Sequence, residues 1–170
     1  VERSRGLGDV YKRQALSYYN QKLSNIVYMG MGEPLLNYRN VLESIEKITS
    51  TDGLGMSPKR ITVSTAGIAK LIKKLGDDEV KFNLALSLHA ANDKKRDYIM
   101  PINEHNCLEA LKEAVVYFYE KTKTRITYEY IIFKDFNDEI SDAQELDNKE
   151  KITPCKINII EYNPIDDGVF

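Results

Sequence analysis

Apolar residues along this chain keep two alternating rhythms. Short runs rich in β-branched residues read as buried strands: SNIVYM at 24–29, RITVS at 60–64, FNLALSL at 82–88, RITYEYIIF at 125–133 and KINII at 156–160. Between them, apolar positions recur at helical spacing. Val41, Leu42, Ile45 and Ile48 mark a helix over 38–49, and Ile68, Leu71, Ile72 and Leu75 mark another after the turn at 65–67. Leu108, Leu111, Val115, Phe118 and Tyr119 line one face of a longer helix over 108–122. A short helix over 94–100, closed by Pro101, and a weak one over 140–146 complete the set. Asn37 is placed to cap the first helix, and Gly76 to stop the second.

Strand then helix, repeated about five times, predicts a parallel sheet with right-handed crossovers. An open doubly wound sheet and a barrel both satisfy that order. No GxGxxG follows any strand, which weakens the dinucleotide-binding version of the open sheet. Instead each strand end carries small or polar residues: Gly32 and Glu33, Ser64 and Thr65, Ser87 and His89, Asn137, and Asn163 with Pro164. Groups spread over so many strand ends meet only if the sheet curls. The expected fold class is therefore α/β, an incomplete parallel (β/α) barrel with its site at the C-terminal face.

Composition narrows the picture. At 170 residues, 42% hydrophobic and 29% charged, the chain is long enough for one core and ordinary for a globular protein. A formal net charge of -2 leaves no basic excess, so a grip on nucleic acid would have to come from elsewhere. No apolar run approaches the ~20 residues that span a bilayer, so no membrane partner is expected. Cys107 and Cys155 lie far apart and form neither a disulfide framework nor a metal-ligand cluster, which suits a reducing, cytoplasmic setting. Residues 1–14, VERSRGLGDVYKRQ, show no periodicity and read as a non-native scar, leaving 15–170 as a partial barrel domain truncated at both ends.

Three strand ends offer chemistry. In Gly30-Met31-Gly32-Glu33-Pro34 the glycines let backbone approach a ligand and Glu33 adds negative charge; the same pattern also serves as a plain tight turn. Ser64 and Thr65 can cap the following helix or meet a ligand at its N-terminus. Ser87 and His89, two apart, point to one side of a strand, where His89 can bind a ligand or shuttle a proton. His105 is read as structural, and Asn163-Pro164 as a turn. No Ser-His-Asp order, HExxH, Walker A motif or cysteine cluster is present, so hydrolase and phosphoryl-transfer readings lack local support.

The segments MGMGEPLLNY, RITVSTAGI, LALSLHAAND, MPIN, TYEYIIF, FND and PCKINIIEYNP, in this order, resemble the radical S-adenosylmethionine family that methylates adenine C2 of 23S rRNA and tRNA. The resemblance runs from about residue 25 to 164 and implies an incomplete (β/α)6 barrel. It implies S-adenosyl-L-methionine bound by Gly32, Glu33, Ser64, Ser87, Leu88, His89 and Asn163, with Gly32-Glu33 at the methionine amino group. It also implies a [4Fe–4S] cluster, an electron donor that reduces it, and 23S rRNA and tRNA as substrates. The family's CxxxCxxC cluster motif and its methyl-carrying cysteine have no counterpart in this sequence. A thiolate-held cluster is therefore not expected on these 170 residues, and the chain taken alone is expected to be inactive, with no catalytic or metal-binding residue of its own. The competing expectations are adenine-C8 methylation, activation of a partner protein, or a non-catalytic nucleotide-binding barrel.

Overall fold

The computed structural model describes residue 18, residues 23–150 and residues 153–163, with the side chains of 149 and 150 excepted. The segment read as a scar, and Pro164, lie outside the described residues.

Five strands form one sheet: β1 (Ile26–Tyr28), β2 (Ile61–Thr65), β3 (Asn83–Ser87), β4 (Ile126–Ile132) and β5 (Cys155–Glu161). Every pairing is parallel and the spatial order is β1-β2-β3-β4-β5. A doubly wound sheet reverses direction part-way, so unbroken sequential order selects the barrel-type winding. Among the described residues β1 and β5 do not pair with each other, so the barrel is open.

The register sorts the side chains. Tyr28, Val63, Leu84, Ile126 and Cys155 lie in one row across the sheet, and Thr65, Leu86, Tyr128 and Ile157 in the next. These rows face the helices α1 (Tyr38–Thr49), α2 (Ala69–Asp77), α4 (Leu108–Thr122) and α5 (Ile140–Glu150), and together they make the core. The shorter helix α3 (Asp93–Ile99) follows β3. On the other face the rows are mostly polar: Ser64, the small Ala85, Thr127 and Lys156, then Ser87, Glu129 and Asn158. One face thus supplies hydrophobic burial, and the opposite face is left for chemistry.

Two helix-end signals work differently from the sequence expectation, the short helix expected over 94–100 sits one residue earlier, and the one expected over 140–146 runs on to Glu150. Gly76 lies inside α2 rather than beyond it. A Cβ there would stand 3.2 Å from Tyr117 Cδ1 and 3.3 Å from Phe118 Cα, so this glycine serves the close approach of α2 to α4. The Asn37 side chain caps no backbone N–H of α1; its Oδ1 accepts instead from the Asn40 side chain, through Nδ2, at 2.6 Å. The chain enters α1 directly from a 3₁₀ turn, Pro34–Asn37, so the capping site lies one turn earlier, at Glu33. Among the described residues no helix is long and apolar enough to cross a membrane.

Candidate functional site

The C-terminal halves of all five strands border a cleft of about 380 Å³, within the range of small-molecule sites. Its lining includes Gly30, Gly32, Glu33, Ser64, Thr65, Ser87, His89, Glu129 and Ile160. Five of the seven sequence-predicted residues, Gly32, Glu33, Ser64, Ser87 and His89, therefore meet in one place. Leu88 and Asn163 are not part of that lining. Leu88 is 3% exposed and belongs to the core. Its N–H donates to the Glu129 carbonyl at 2.9 Å. Asn163 is exposed and stands two residues past the end of β5.

Gly32 adopts a φ of +94°, a conformation open to glycine, and no heavy atom lies within 4 Å of where its Cβ would be. The turn then places Glu33 where its carboxylate joins two strand ends. Oε1 accepts from Leu35 N–H at 2.9 Å, capping the 3₁₀ turn, and Oε2 accepts from Ala66 N–H at 2.6 Å, just past β2. The serine and threonine of the second motif cap no helix. Thr65 Oγ1 accepts from Gly67 N–H at 3.1 Å, and the first N–H of α2, at Ala69, donates to Asn106 Oδ1 at 2.9 Å. The Ser64 side chain is thereby left on the polar face of the sheet.

His89 follows β3 with φ +56°, a left-handed conformation uncommon outside glycine. Neighbouring groups over-determine it. Its carbonyl accepts from Asn137 Nδ2 at 2.7 Å, and its Nδ1 accepts from Ile131 N–H at 3.2 Å. A ring nitrogen that accepts from an amide carries no proton, so the proton of the neutral ring sits on Nε2. Burial, and then the charge of Arg96, push the imidazole down to about 4 from its ordinary 6.5. The ring is neutral near pH 7 and acts as a donor through Nε2. Asn137, expected among the strand-end polar groups, works as a clamp: it also donates to the Ile131 carbonyl at 2.8 Å and accepts from Phe133 N–H at 2.7 Å.

One residue of the cleft, Glu129, and one behind it, Arg96, carried no signal of their own in the sequence. Glu129 stands beside Ser87 in the register, is 6% exposed, and accepts from Asn158 Nδ2 at 2.6 Å. In TYEYIIF it reads as the polar partner in an alternating strand, and only pairing with β3 shows which site it faces. Arg96 is fully buried and binds carbonyls at the ends of both β2 and β3.

The charge of the cleft is selective. Its lining holds two carboxylates, Glu33 and Glu129, and no lysine or arginine among the described residues. Such a site favours a cationic ligand over a phosphate. An iron–sulfur cluster is a different matter. Among the described residues no three His, Cys, Asp or Glu side chains gather as ligands. Cys107 is the N-cap of α4 and Cys155 opens β5. The residues present do not fit such a cluster.

Residues 9–146 match the model of the radical SAM superfamily. The "Probable dual-specificity RNA methyltransferase RlmN" of Christiangramia forsetii is 62% identical over 153 residues, 90% of this chain and 44% of that protein. The protein of the same name from Flavobacterium psychrophilum is 53% identical, covering 100% of this chain and 51% of its own length. A radical SAM methyltransferase from Sphaerobacter thermophilus of known crystal structure superposes with a TM-score of 0.87 at 34% identity, over 91% of this chain and 45% of that one. The chain thus spans about half the length of the relatives it matches. With the open parallel barrel and its strand-end cleft, the match over residues 9–146 means that this chain belongs to the radical SAM superfamily.

Proposed function

We propose that the cleft binds S-adenosylmethionine, and that the chain is the cofactor-binding barrel of an enzyme that methylates adenine C2 in 23S rRNA and tRNA. One observation carries the cofactor reading. Four parallel strand ends deliver two carboxylates, two serine hydroxyls and a neutral imidazole donor to a cleft whose lining, among the described residues, lacks cationic side chains. S-adenosylmethionine carries a sulfonium and an ammonium against a single carboxylate, so it suits that balance; a nucleoside polyphosphate does not. The nucleotide-binding alternative is disfavoured on the same ground.

In this reading Gly30 and Gly32 give the ligand access to backbone carbonyls. Glu33 stands beside the ammonium, its carboxylate oxygens having lone pairs beyond the two amides they accept. Ser64, Ser87, Leu88, His89 and Asn163 complete the contact set that the resemblance implies. The bound cofactor supplies the methyl group and the radical chemistry. The chain's own residues bind it, orient it and hold its charges. Support for RNA as the substrate comes from the names of the two relatives quoted.

The cofactor half is tested by titrating the ¹⁵N-labelled chain with S-adenosylmethionine. The expected result is saturable shift changes at Gly30, Gly32, Ala66, Ser87 and His89, in the millimolar range, with ATP much weaker. ATP binding equally well, or shifts elsewhere on the surface, would count against it. The substrate half is read by mass spectrometry of 23S rRNA and tRNA from cells lacking the gene, in which 2-methyladenosine should be missing.

A further inference from the structure

We propose that Arg96, held by Asn103, is a positioning residue for the cofactor cleft: its guanidinium fixes the strand-end peptides that present Glu33, Ser87 and His89. The inference rests on the cofactor reading above and gives a task to the MPIN segment, which that reading leaves without one.

Arg96 lies in α3, outside the cleft lining, yet it is 0% exposed. Its Nη2 donates to the Ala66 carbonyl at 2.7 Å and to the Ser87 carbonyl at 3.1 Å. Nε donates to the Leu88 carbonyl at 3.2 Å, and Nη1 to Asn103 Oδ1 at 2.5 Å. One side chain thus spans the ends of two adjacent strands. These carbonyls lie beyond or at the last ladder position of β2 and β3, where the sheet no longer fixes their direction.

Each held peptide carries a group of the cleft. Ala66 accepts from Arg96 through its carbonyl and donates through its N–H to Glu33 Oε2 at 2.6 Å. The Ser87 and Leu88 carbonyls flank the backbone that leads into His89, whose φ of +56° needs support from both sides. A buried guanidinium is costly unless its donors are used. Here charge compensation comes through Asn103, whose Nδ2 donates to Asp93 Oδ1 at 2.9 Å and Asp97 Oδ1 at 2.7 Å. Asp93 Oδ1 also accepts from Leu108 N–H at 2.8 Å, which ties the assembly to α4. A lysine could not replace this fork, because an ammonium presents donors from one point and not in a plane.

The test compares the wild-type chain with R96K, N103A and V115A, the last a core variant outside the cleft lining and making no hydrogen bond to Arg96 or Asn103. Each is measured for thermal stability and for S-adenosylmethionine dissociation by ¹⁵N chemical-shift titration. R96K is expected to stay folded and to bind about tenfold more weakly, the order of effect when a charge-assisted support is withdrawn. N103A should weaken binding by a smaller factor, and both should shift the amides of Ala66 and His89 before ligand is added. V115A should lower the melting temperature and leave affinity unchanged, which separates positioning from general stability. If R96K binds as tightly as wild type, the positioning role is wrong. If R96K does not fold, unchanged affinity in N103A overturns it and weakened affinity sustains it. Failure of the wild-type chain to bind would instead strike the cofactor reading, and the two failures are distinguishable.

Discussion

At the scale of single residues, His89 shows how a binding group is made from a constrained one. Its Nδ1 is committed to Ile131 N–H, which leaves Nε2 as the ring's donor toward a ligand. The imidazole is pushed down to about 4, first by burial and then by Arg96. The consequence for stability has a definite sign. Between pH 6.5 and about 4 the unfolded chain takes up a proton at this residue and the folded chain does not. Stability contributed by the neutral ring is therefore full above pH 6.5 and is lost as pH falls through that window. Asparagine at this position keeps an acceptor for Ile131 N–H, tolerates the left-handed backbone and does not titrate. In urea unfolding across pH 4–7, H89N should lack a pH-dependent loss of up to about 3 kcal/mol that the wild type shows. Parallel pH profiles for the two proteins would refute the account.

At the scale of elements, α2 and α4 pack so closely that one methyl group decides the outcome. Alanine in place of glycine inside an exposed helix normally stabilises it by about 1 kcal/mol. At Gly76 the added Cβ would press on Tyr117 Cδ1 at 3.2 Å and Phe118 Cα at 3.3 Å, and the second of these is backbone. G76A is therefore expected to destabilise, by roughly 1–3 kcal/mol, in the manner of an overpacked core. Thermal unfolding checks the sign: a raised melting temperature would show that α4 yields freely. The same residue marks where sequence reading stops. Gly76 looks like a stop signal because the packing partner that explains it lies 41–42 positions further on, in Tyr117 and Phe118. The helix over 38–49 was legible to its ends, since its apolar stripe is local information. Its cap was not, because the acceptor that opens the segment, Glu33, caps a 3₁₀ turn that the pattern does not announce. Arg96 was invisible for a related reason. In NDKKRDYIM it looks like one more charge on a solvated helix, and only the carbonyls brought together by β2 and β3 turn it into a buried clamp.

At the scale of the whole molecule, winding order is what makes a site out of these parts. Five strand ends were legible as polar, but an open sheet would have spread them along an edge; sequential parallel pairing brings those of β1, β2 and β3 around one cleft, where Glu129 of β4 joins them. The same winding grades the stability of the sheet from centre to margin. β3 is paired along both sides, and its Leu84, Ala85 and Leu86 are 0%, 0% and 1% exposed. β1 offers three residues to one neighbour and leaves Val27 56% exposed. β5 has a seven-residue ladder to β4, yet its Ile159 is 54% exposed. Amides exchange through the smallest opening that frees them, and strands with one partner and a thin apolar cover open with less. Hydrogen–deuterium exchange should therefore be slowest in β3 and β4, intermediate in β2, faster in β5 and fastest in β1. Protection of β1 equal to that of β3 would mean that its outer edge, unpaired among the described residues, is covered by another part of the chain or by a second copy. The gradient also bears on the cleft. Its β2 and β3 borders, joined by Arg96 and tied to Glu33, should move as one unit, while the Gly30 to Gly32 border follows β1, so added S-adenosylmethionine should slow exchange most at β1.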